Sequence, residues 1–404
     1  MGVPVYLFSG PIYFPTEEKG SGLLHLKSDL FSLGTEFETK FLVPQGDEVF
    51  AFNNGAQGII HYNENQDRFS LDKITLIPRL NLNDVFTFYS ELEASLNRKN
   101  TIVERTFFRE AHATLILPHS FFLKVGLEDR FISPEFVADN RAEGDNKRLT
   151  AAYPINGVAF WKDEDLGITL GADHPIGAQT SFYWRGSYTN GLNLGFDELT
   201  QNPIYPLLHD DREKTILDLE SAGNQEKGGG IGLKHSFSDQ VNVNILSFYF
   251  YSKLDAEDLK FLSDVMGAYS NRDPTNTMVG ADMDLNIYNF NMFMQYIKAK
   301  DGGITRKGSY IQPSLTYFLN QKFLEQVTFL YRYNFLDVQT EGILGNLTTS
   351  PFTWDRKTHT IACTIFFHPY VLLRNEFHFN GEKTGGSHKK LKNNEFMSQL
   401  EVRF

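Results

Sequence analysis

The sequence predicts an all-β protein whose antiparallel strands close into a barrel that crosses a membrane. Apolar and polar residues alternate with a period of two over many segments, and short and long connections follow one another along the chain. The predicted strands run about 10 to 13 residues, a length that crosses the hydrocarbon layer at a tilt. Strands of soluble proteins peak at about five or six residues, so a membrane barrel accounts better for these segments.

The alternation is clearest at 282–287, where Asp-Met-Asp-Leu-Asn-Ile places every second residue in the same chemical class. A period of two describes a strand with one apolar face and one wet face. The same pattern recurs at 74–82 and at 327–335. The sequence therefore predicts strands with apolar residues toward lipid and polar residues toward a water-filled interior.

Short breaks of polar or turn-forming residues divide each predicted hairpin. They lie at Asn83-Asp84, Pro118-His119, His174–Gly177, Ser238-Asp239, Tyr288-Asn289, Asn320–Leu324 and His368-Pro369. Longer polar segments separate successive hairpins, at Asn97–Glu104, Phe131–Glu164, Asn190–Gly228, Lys253–Asn276, Asp301–Lys307, Gln339–Arg356 and Gly381–Asn393. This sorting predicts short periplasmic turns at one end of a barrel and long extracellular loops at the other.

The need to close the sheet into a barrel constrains the number of strands. Strands read from Lys73 to the C-terminus give an odd number, and a single-chain barrel needs an even one. One more strand, at Gln57–Tyr62 or at Glu36–Val43, gives about 16, the count we favour; both together with 23–33 give about 18. We expect 1–56 to be an N-terminal segment that is periplasmic or contributes the first strand or strands, and 57–404 to form the transmembrane barrel.

The composition excludes several other classes. The 404 residues carry a net charge of −12, and no span approaches the roughly 18 apolar residues of a membrane helix. Cys363 is the only cysteine, which excludes a disulfide framework and cysteine-based metal sites. Aromatic residues make up 14% of the chain. Those predicted on the lipid-facing side are Phe86, Phe88, Phe121, Trp184, Tyr188, Tyr296, Tyr317, Tyr331, Tyr333 and Phe335.

The residues between the apolar ones are expected to line the pore. The charged members of this set are Arg79, Glu91, Glu93, Glu110, Lys124, Glu128, Arg130, Arg185, Lys234, Asp282, Asp284, Arg332, Arg374, Glu376, Glu401 and Arg403. Acids and bases are balanced, and a strongly selective pore needs a ring of one sign, so weak selectivity is predicted. Arg332 and Arg374, near mid-strand, are the candidates for a constriction.

Catalytic and cofactor motifs are absent from the sequence. The glycine run 228–232 leads into a strand and not into a phosphate-binding helix, so it predicts a strand entry or a thin place in the wall. His359 and His378 fall on neighbouring predicted strands and could approach each other, but two imidazoles without a third ligand predict no metal site. The sequence therefore predicts no catalytic residues, no metal site and no cofactor. The acidic segment Asn190–Gly228 is either a solvated loop or a plug.

The C-terminal residues and several internal stretches resemble known families of membrane proteins. The ending Leu400-Glu401-Val402-Arg403-Phe404 resembles the assembly signal of outer-membrane β-barrels of Gram-negative bacteria. Further stretches resemble the porin O/P group, the phosphate-selective porins: Arg109–Ala111, Leu123–Gly126, Tyr188–Gly191, Gly280–Leu285 and Tyr331–Asn334. The resemblance spans roughly 69–404 and implies a 16-stranded, frequently trimeric barrel. Phosphate selectivity in that group is tied to a ladder of lysines and arginines, and this sequence departs from it by placing acids among its bases.

We therefore expect an outer-membrane porin, a non-enzymatic channel for passive diffusion of small hydrophilic solutes or ions. Its expected partners are outer-membrane lipid and lipopolysaccharide and further copies of itself in a trimer, with no nucleic acid. An alternative is a barrel that encloses a periplasmic or lumenal protein partner, such as a multi-haem cytochrome in an electron conduit. A third, an outer-membrane lipase or protease, lacks a recognisable Ser/His/acid constellation.

Overall fold

A computed structural model gives the architecture of most of the chain. It describes residues 26–27, 31–44, 48–53, 56–61, 68–82, 85–96, 103–131, 139–140, 145–146, 164–190, 225–254, 274–301, 304–321, 323–340, 354–368, 370–384 and 394–403. Within these ranges the dominant feature is one sheet of long antiparallel strands. None of the helical structure in the described ranges is long and apolar enough to span a membrane.

Sixteen long strands form the wall of the barrel. In chain order they are β1 Phe31–Pro44, β2 Arg68–Asn81, β3 Phe86–Leu96, β4 Val103–Leu117, β5 Phe121–Asp129, β6 Glu164–Pro175, β7 Thr180–Thr189, β8 Glu226–Ser238, β9 Val241–Lys253, β10 Thr275–Ile287, β11 Phe290–Asp301, β12 Ile304–Gln321, β13 Leu324–Thr340, β14 Trp354–His368, β15 Val371–Thr384 and β16 Glu395–Arg403. Each pairs with its neighbour in sequence, so the topology is a simple meander.

The barrel closes because its last strand pairs with its first. The register of β16 on β1 runs from Glu36 opposite Arg403 to Pro44 opposite Glu395. Closure removes the two free edges that an open sheet would expose. The predicted all-β, antiparallel barrel of 16 strands is thus confirmed.

The structure decides which of the two candidate spans, Gln57–Tyr62 or Glu36–Val43, forms the first strand of the barrel. The span Glu36–Val43 lies within β1 and pairs with both β2 and β16. The other candidate, Gln57–Tyr62, overlaps Ala56–His61, which pairs with Glu48–Asn53 in a separate hairpin outside the barrel sheet. The alternative count of 18 is therefore wrong, because only one of the two spans belongs to the wall.

The connections sort by length as predicted, with one exception. Turns such as Tyr288-Asn289 lie at one end of the barrel, and Tyr288 takes a φ of 53° in this tight connection. At the other end β11 stops at Asp301 and β12 begins at Ile304. The expected polar segment Asp301–Lys307 is therefore wrong: its residues continue the two strands as a paired extension, because Thr305 to Lys307 keep the alternating register.

The two faces of the wall differ in exposure, and the outer face exposes apolar side chains. On β9, Leu246, Phe248 and Phe250 are buried, whereas the intervening Ile245 and Tyr249 are 43% and 51% exposed. The buried side chains face the inside of the closed wall, where they converge with those of other strands. The exposed apolar side chains form the outer face, which is the arrangement of a barrel surrounded by lipid.

The aromatic residues predicted on the lipid-facing side lie on this outer face. Tyr188, Tyr296 and Tyr317 are 44%, 49% and 50% exposed, and Phe88 and Tyr331 are exposed as well. Phe86, Phe121, Trp184, Tyr333 and Phe335 are half-buried on the same face. Outer-face side chains of this kind have room to contact lipid or a partner protein.

Candidate pore lining

The register places the predicted charged set on the inner face of the wall. Buried there are Glu91, Glu128, Arg130, Arg185, Asp282, Arg332, Arg374, Glu376 and Glu401. Half-buried there are Arg79, Glu110, Lys124, Lys234 and Asp284. The side chains of Glu93 and Arg403 lie outside the described residues, although Arg403 stands opposite Glu36 in the register.

Burial along the inner face changes with height in the barrel. On β10, Asn286 and Asp284 near the short-turn end are half-buried, whereas Asp282, Met278 and Asn276 farther along are buried. The same change occurs on β9, and on β13 from Gln326 to Leu336. The interior is therefore more open toward the short turns and filled toward the long connections.

One charged cluster joins three adjacent strands in the open half. Asp173 on β6 forms an ion pair with Arg185 on β7 at 2.7 Å and accepts a hydrogen bond from Lys234 on β8 at 3.2 Å. The Arg185 guanidinium lies over the Phe122 ring at 4.8 Å and over the Tyr183 ring at 5.1 Å. Two cations thus share one carboxylate on the inner face, and the aromatic rings support the arginine.

A second ion pair lies deeper in the filled half. Arg130, the first residue after β5, contacts Glu226 of β8 at 2.9 Å, and both side chains are almost fully buried. The next residue, Phe131, stacks on Phe250 with ring centroids 5.2 Å apart. The chain leaving β5 therefore turns inward and lies against the wall three and four strands away. The side chains of Arg130 and Phe131 therefore occupy part of the interior.

The glycine run allows large rings to lie flat against this wall. Gly228, Gly230 and Gly232 alternate along the inner face of β8. A Cβ on Gly232 would overlap the Tyr183 ring, and one on Gly228 would overlap the Phe250 ring. The prediction of a thin place in the wall describes this geometry: the missing side chains leave the space that the rings of neighbouring strands occupy.

The seam between β1, β15 and β16 carries three buried carboxylates. One oxygen from each of Glu36, Glu38 and Glu401 lies within 4.8 Å of the others. Arg374 donates to Glu401 at 2.6 Å, and the Gln399 amide donates to Glu38 at 2.7 Å. Carboxylate oxygens are ligands that Ca²⁺ prefers, but here the chain's own donors already bind two of the three acids.

On the inner face of β12 to β14 the described side chains are mostly uncharged, and they surround two arginines. Arg306 and Arg332 are 1% and 0% exposed, and Arg332 lies over the Tyr310 ring at 4.4 Å. Thr316 and Thr328 share a hydrogen bond of 3.0 Å on the same face. Arg332, a predicted constriction candidate, is thus enclosed in the wall and leaves little of its surface to a passing ion.

Two glutamate–histidine pairs project inward from single strands. Glu376 contacts His378 at 3.1 Å, and the Thr360 hydroxyl lies 2.9 Å from the other ring nitrogen. Glu110 contacts His112 at 3.2 Å in the same i, i+2 spacing. The expected approach of His359 to His378 is wrong, because His359 stands opposite Phe379 on the outer face, where it binds the Tyr331 hydroxyl at 2.7 Å.

Several inner-face charges were missed by the sequence analysis. They are Glu36, Glu38, Asp173, Glu226 and Arg306. Glu226 and Arg306 fell in segments read as loops, and Glu36 and Glu38 in a strand left undecided. An extension of the period-two pattern to the ends of β8 and β12 would have found two of them. The segment Asn190–Gly228, expected as loop or plug, lies outside the described residues over 191–224.

Comparison with known proteins bears on the fold. No family model matches the chain, and no curated protein matches it significantly. Among solved structures, Salmonella typhi OmpF in complex with daunomycin is 10% identical with a TM-score of 0.56, covering 94% of this chain and 100% of its own. Pseudomonas putida OprB is 10% identical with a TM-score of 0.56, covering 93% and 94%.

A third structure is the outer-membrane channel DcaP of Acinetobacter baumannii. It is 13% identical with a TM-score of 0.53, and the match covers 94% of this chain and 99% of DcaP. These identities are too low to assign a family, and the likeness is one of fold. The chain is therefore a closed, sixteen-stranded barrel of the architecture seen in these outer-membrane proteins.

Proposed function

We propose that this chain is a porin of the bacterial outer membrane, a water-filled channel for passive diffusion of small hydrophilic solutes or ions. The observation that carries the proposal is the inversion of burial in a closed barrel. Charged residues such as Lys124 and Asp284 face inward, while Ile231 and Val279 are 59% and 48% exposed outward. A wall of this kind separates lipid outside from water inside.

The location follows from the same wall. Its outer face is apolar, with exposed tyrosines toward both ends, such as Tyr188 near the long connections and Tyr317 near the short turns, the distribution that suits the two interfaces of a bilayer. Outer-membrane barrels carry short periplasmic turns and longer outer loops. We therefore assign the end with the turn Tyr288-Asn289 to the periplasm and the long connections to the cell exterior. Trimeric assembly is part of this proposal, as an expectation for porin barrels.

The proposed selectivity is weak. Inner-face charges of both signs lie close together, as at Asp173 with Arg185 and Lys234, and at Arg374 with Glu401. Strong selectivity needs a ring or ladder of one sign at the narrow point. The phosphate-selective porin O/P group remains a resemblance in short motifs, and we do not extend its anion specificity to this chain.

The narrow passage is proposed to lie in the half toward the long connections. Its wall includes the Arg130–Glu226 pair and the inward-facing Phe131. The half toward the periplasm, with Lys234 and Asp284 less enclosed, then acts as a vestibule. Solutes pass by diffusion, and no chemical step is required of any residue.

Reconstitution tests the proposal. Purified, refolded protein inserted into a planar bilayer should produce discrete conductance steps in potassium chloride, with a cation-to-anion permeability ratio near unity. The control is the same preparation left unfolded, which should produce none. A folded barrel that never conducts, or one that co-purifies with a stoichiometric haem protein in its lumen, would contradict the proposal.

A further inference from the structure

The inner face of β9 to β11 carries a group of side-chain amides near the short turns. They are Asn242 and Asn244 of β9, Asn286 of β10 and Asn291 of β11, and with Asp284 of β10 they form a set that we call the amide cluster. Asn286 stands opposite Asn242 on one side and opposite Asn291 on the other. All five side chains are half-buried. The cluster therefore lies in the more open half of the interior.

Hydrogen bonds within the cluster fix the direction of its amides. The Asn286 amide donates to the Asn242 oxygen at 3.0 Å and to Asp284 at 3.1 Å. The Asn291 amide donates to Asp284 at 2.7 Å and to the Asn286 oxygen at 2.8 Å. Each nitrogen thus points toward a defined oxygen, and the network joins three strands. A solute that reaches this wall meets donors and acceptors at fixed positions.

The two asparagines of β9 have N–H groups that can bind a solute. Asn242 accepts from Asn286 through its oxygen, and Asn244 accepts from the Tyr183 hydroxyl at 2.7 Å in the same way. An asparagine amide also carries two N–H donors, and among the described residues neither side chain donates them to an acceptor. The two residues are two positions apart on one strand, about 7 Å, so both amides lie on the same face.

Charge sets this part of the wall apart. Among the inner-face side chains described on β9 to β13, Asp284 is the one charged group that is not buried. Lys234 of β8 stands opposite Asn244, but its ammonium group binds Asp173. Half-buried inner-face charges stand on β2 to β8 and include Arg79, Glu110, Lys124, Asp173 and Lys234. The open half therefore has a charged sector and, beside it, a sector of neutral amides.

Neither sign of ion matches the amide cluster. An anion bound by Asn242 and Asn244 would meet the carboxylate of Asp284, and a cation would meet the N–H donors. A hydroxyl group both donates and accepts, so it can accept from an asparagine and donate to the carboxylate. Several hydroxyls on one small ring can reach two neighbouring strands, which are about 4.8 Å apart. A sugar has this chemistry.

We propose that the amide cluster is a weak binding site for neutral sugars in the lumen. This inference rests on the proposed porin function and names one class of its solutes. Asn242 and Asn244 donate to sugar hydroxyl oxygens, and Asp284 accepts from a sugar hydroxyl. Sugars pass along this sector, while ions pass along the charged strands β2 to β8.

The test is saturation-transfer difference NMR on the folded protein in lauryldimethylamine oxide, a detergent without sugar, with D-glucose as the probe. The wild type should give a signal that saturates as the glucose concentration rises. The double variant Asn242→Ala with Asn244→Ala should bind glucose about tenfold more weakly, because it loses two neutral hydrogen bonds.

The matched control is Asn81→Ala with Gln326→Ala. It removes two amides of the inner face outside the cluster and should bind glucose as the wild type does. A wild type with no saturable signal above that of the detergent alone would overturn the inference. Equal glucose affinities in the wild type and the cluster variant would overturn it as well.

Competition separates a sugar site from an ion site and requires only the wild type, so it decides even if the cluster variant fails to fold. An excess of D-xylose should displace glucose, whereas sodium acetate or choline chloride at the same concentration should not. Displacement by either salt and not by D-xylose would overturn the inference.

Conductance distinguishes this inference from the proposed function. The NMR signal does not require an ion current, so a wild type that binds glucose but never conducts would refute the porin proposal alone. A wild type that conducts but gives no saturable glucose signal would refute the sugar site and leave the porin proposal standing.

Discussion

Arg130 and Glu226 form an ion pair of 2.9 Å between β5 and β8, three strand spacings apart on the inner wall. Their side chains are 4% and 1% exposed, so the pair is enclosed by protein. The contact ties the chain that leaves β5 to the start of β8. Two segments that are far apart in sequence are thereby held together inside the barrel.

Removing one partner of this pair should destabilise the barrel. We expect Arg130→Ala to lower the free energy of unfolding by about 3–5 kcal/mol, because it leaves a buried carboxylate without its cation. Urea unfolding in lipid vesicles measures it. The matched control is Lys234→Ala, whose side chain is 29% exposed and whose partner Asp173 keeps its ion pair with Arg185, so that it should cost about 0–1 kcal/mol. Equal losses in the two variants would contradict this account.

Removing the Phe131 ring should widen the passage. The ring packs on Phe250 and faces Gly230 on the inner wall, so Phe131→Ala should raise the single-channel conductance. Planar bilayer recordings measure the change. Phe88→Ala removes the same ring from the outer face and should leave the conductance unaltered. If Phe131→Ala conducted no better than the wild type, the narrow passage would lie elsewhere.

Two glycines of β8, Gly229 and Gly232, should differ in their tolerance of a side chain. Gly232→Ala places a Cβ within the Tyr183 ring, whereas the nearest atom to a Cβ on Gly229 is the Arg185 carbonyl oxygen at 3.9 Å. We expect Gly232→Ala to destabilise the barrel by about 1–3 kcal/mol through overpacking. Gly229→Ala should be neutral or slightly stabilising. The midpoint of thermal unfolding, read from gel mobility after heating, compares them, and a tolerant Gly232 would refute the packing.

The Asp173 cluster should set part of the ion preference. Asp173→Asn leaves Arg185 and Lys234 without their shared carboxylate and makes the local charge more positive. We expect the anion-to-cation permeability ratio to rise about twofold or more. The reversal potential under a salt gradient measures this ratio. Lys234→Gln should shift it in the opposite sense, and shifts of the same sign in both variants would show that the cluster does not face the ion path.

Much of the fold could be predicted because it depends on a local property. Side chains in a strand alternate between two faces, so the order of residues in a segment such as 282–287 already decides which of them share the wet face. The strand count followed from the need to close the sheet. The choice of Glu36–Val43 as the first strand was left open, since its acids blurred the contrast with the neighbouring hairpin.

The candidate site was predicted less completely. The inward orientation of Arg185 was predicted from its place in the alternation. Its carboxylate partner, Asp173, was missed because it is the last residue of the predicted strand. Glu226 and Arg306 were assigned to loops, because glycine-rich and polar sequence hides the extension of a strand beyond the membrane. His359 and His378 could approach on the evidence of neighbouring strands alone, but the register sets them one position apart, and adjacent positions face opposite sides of the wall.

The sequence by itself determined that the chain forms a closed sheet of many strands with one apolar and one polar face, since both follow from a two-residue period and the need for an even, closed sheet; it favoured sixteen strands and left eighteen open. Only the tertiary structure decided which polar groups meet. The Arg130–Glu226 pair, the rings above Gly232 and the filling of one half of the barrel all join strands several positions apart. Those contacts depend on the curvature and register of the closed wall. No single segment of the sequence determines either of them.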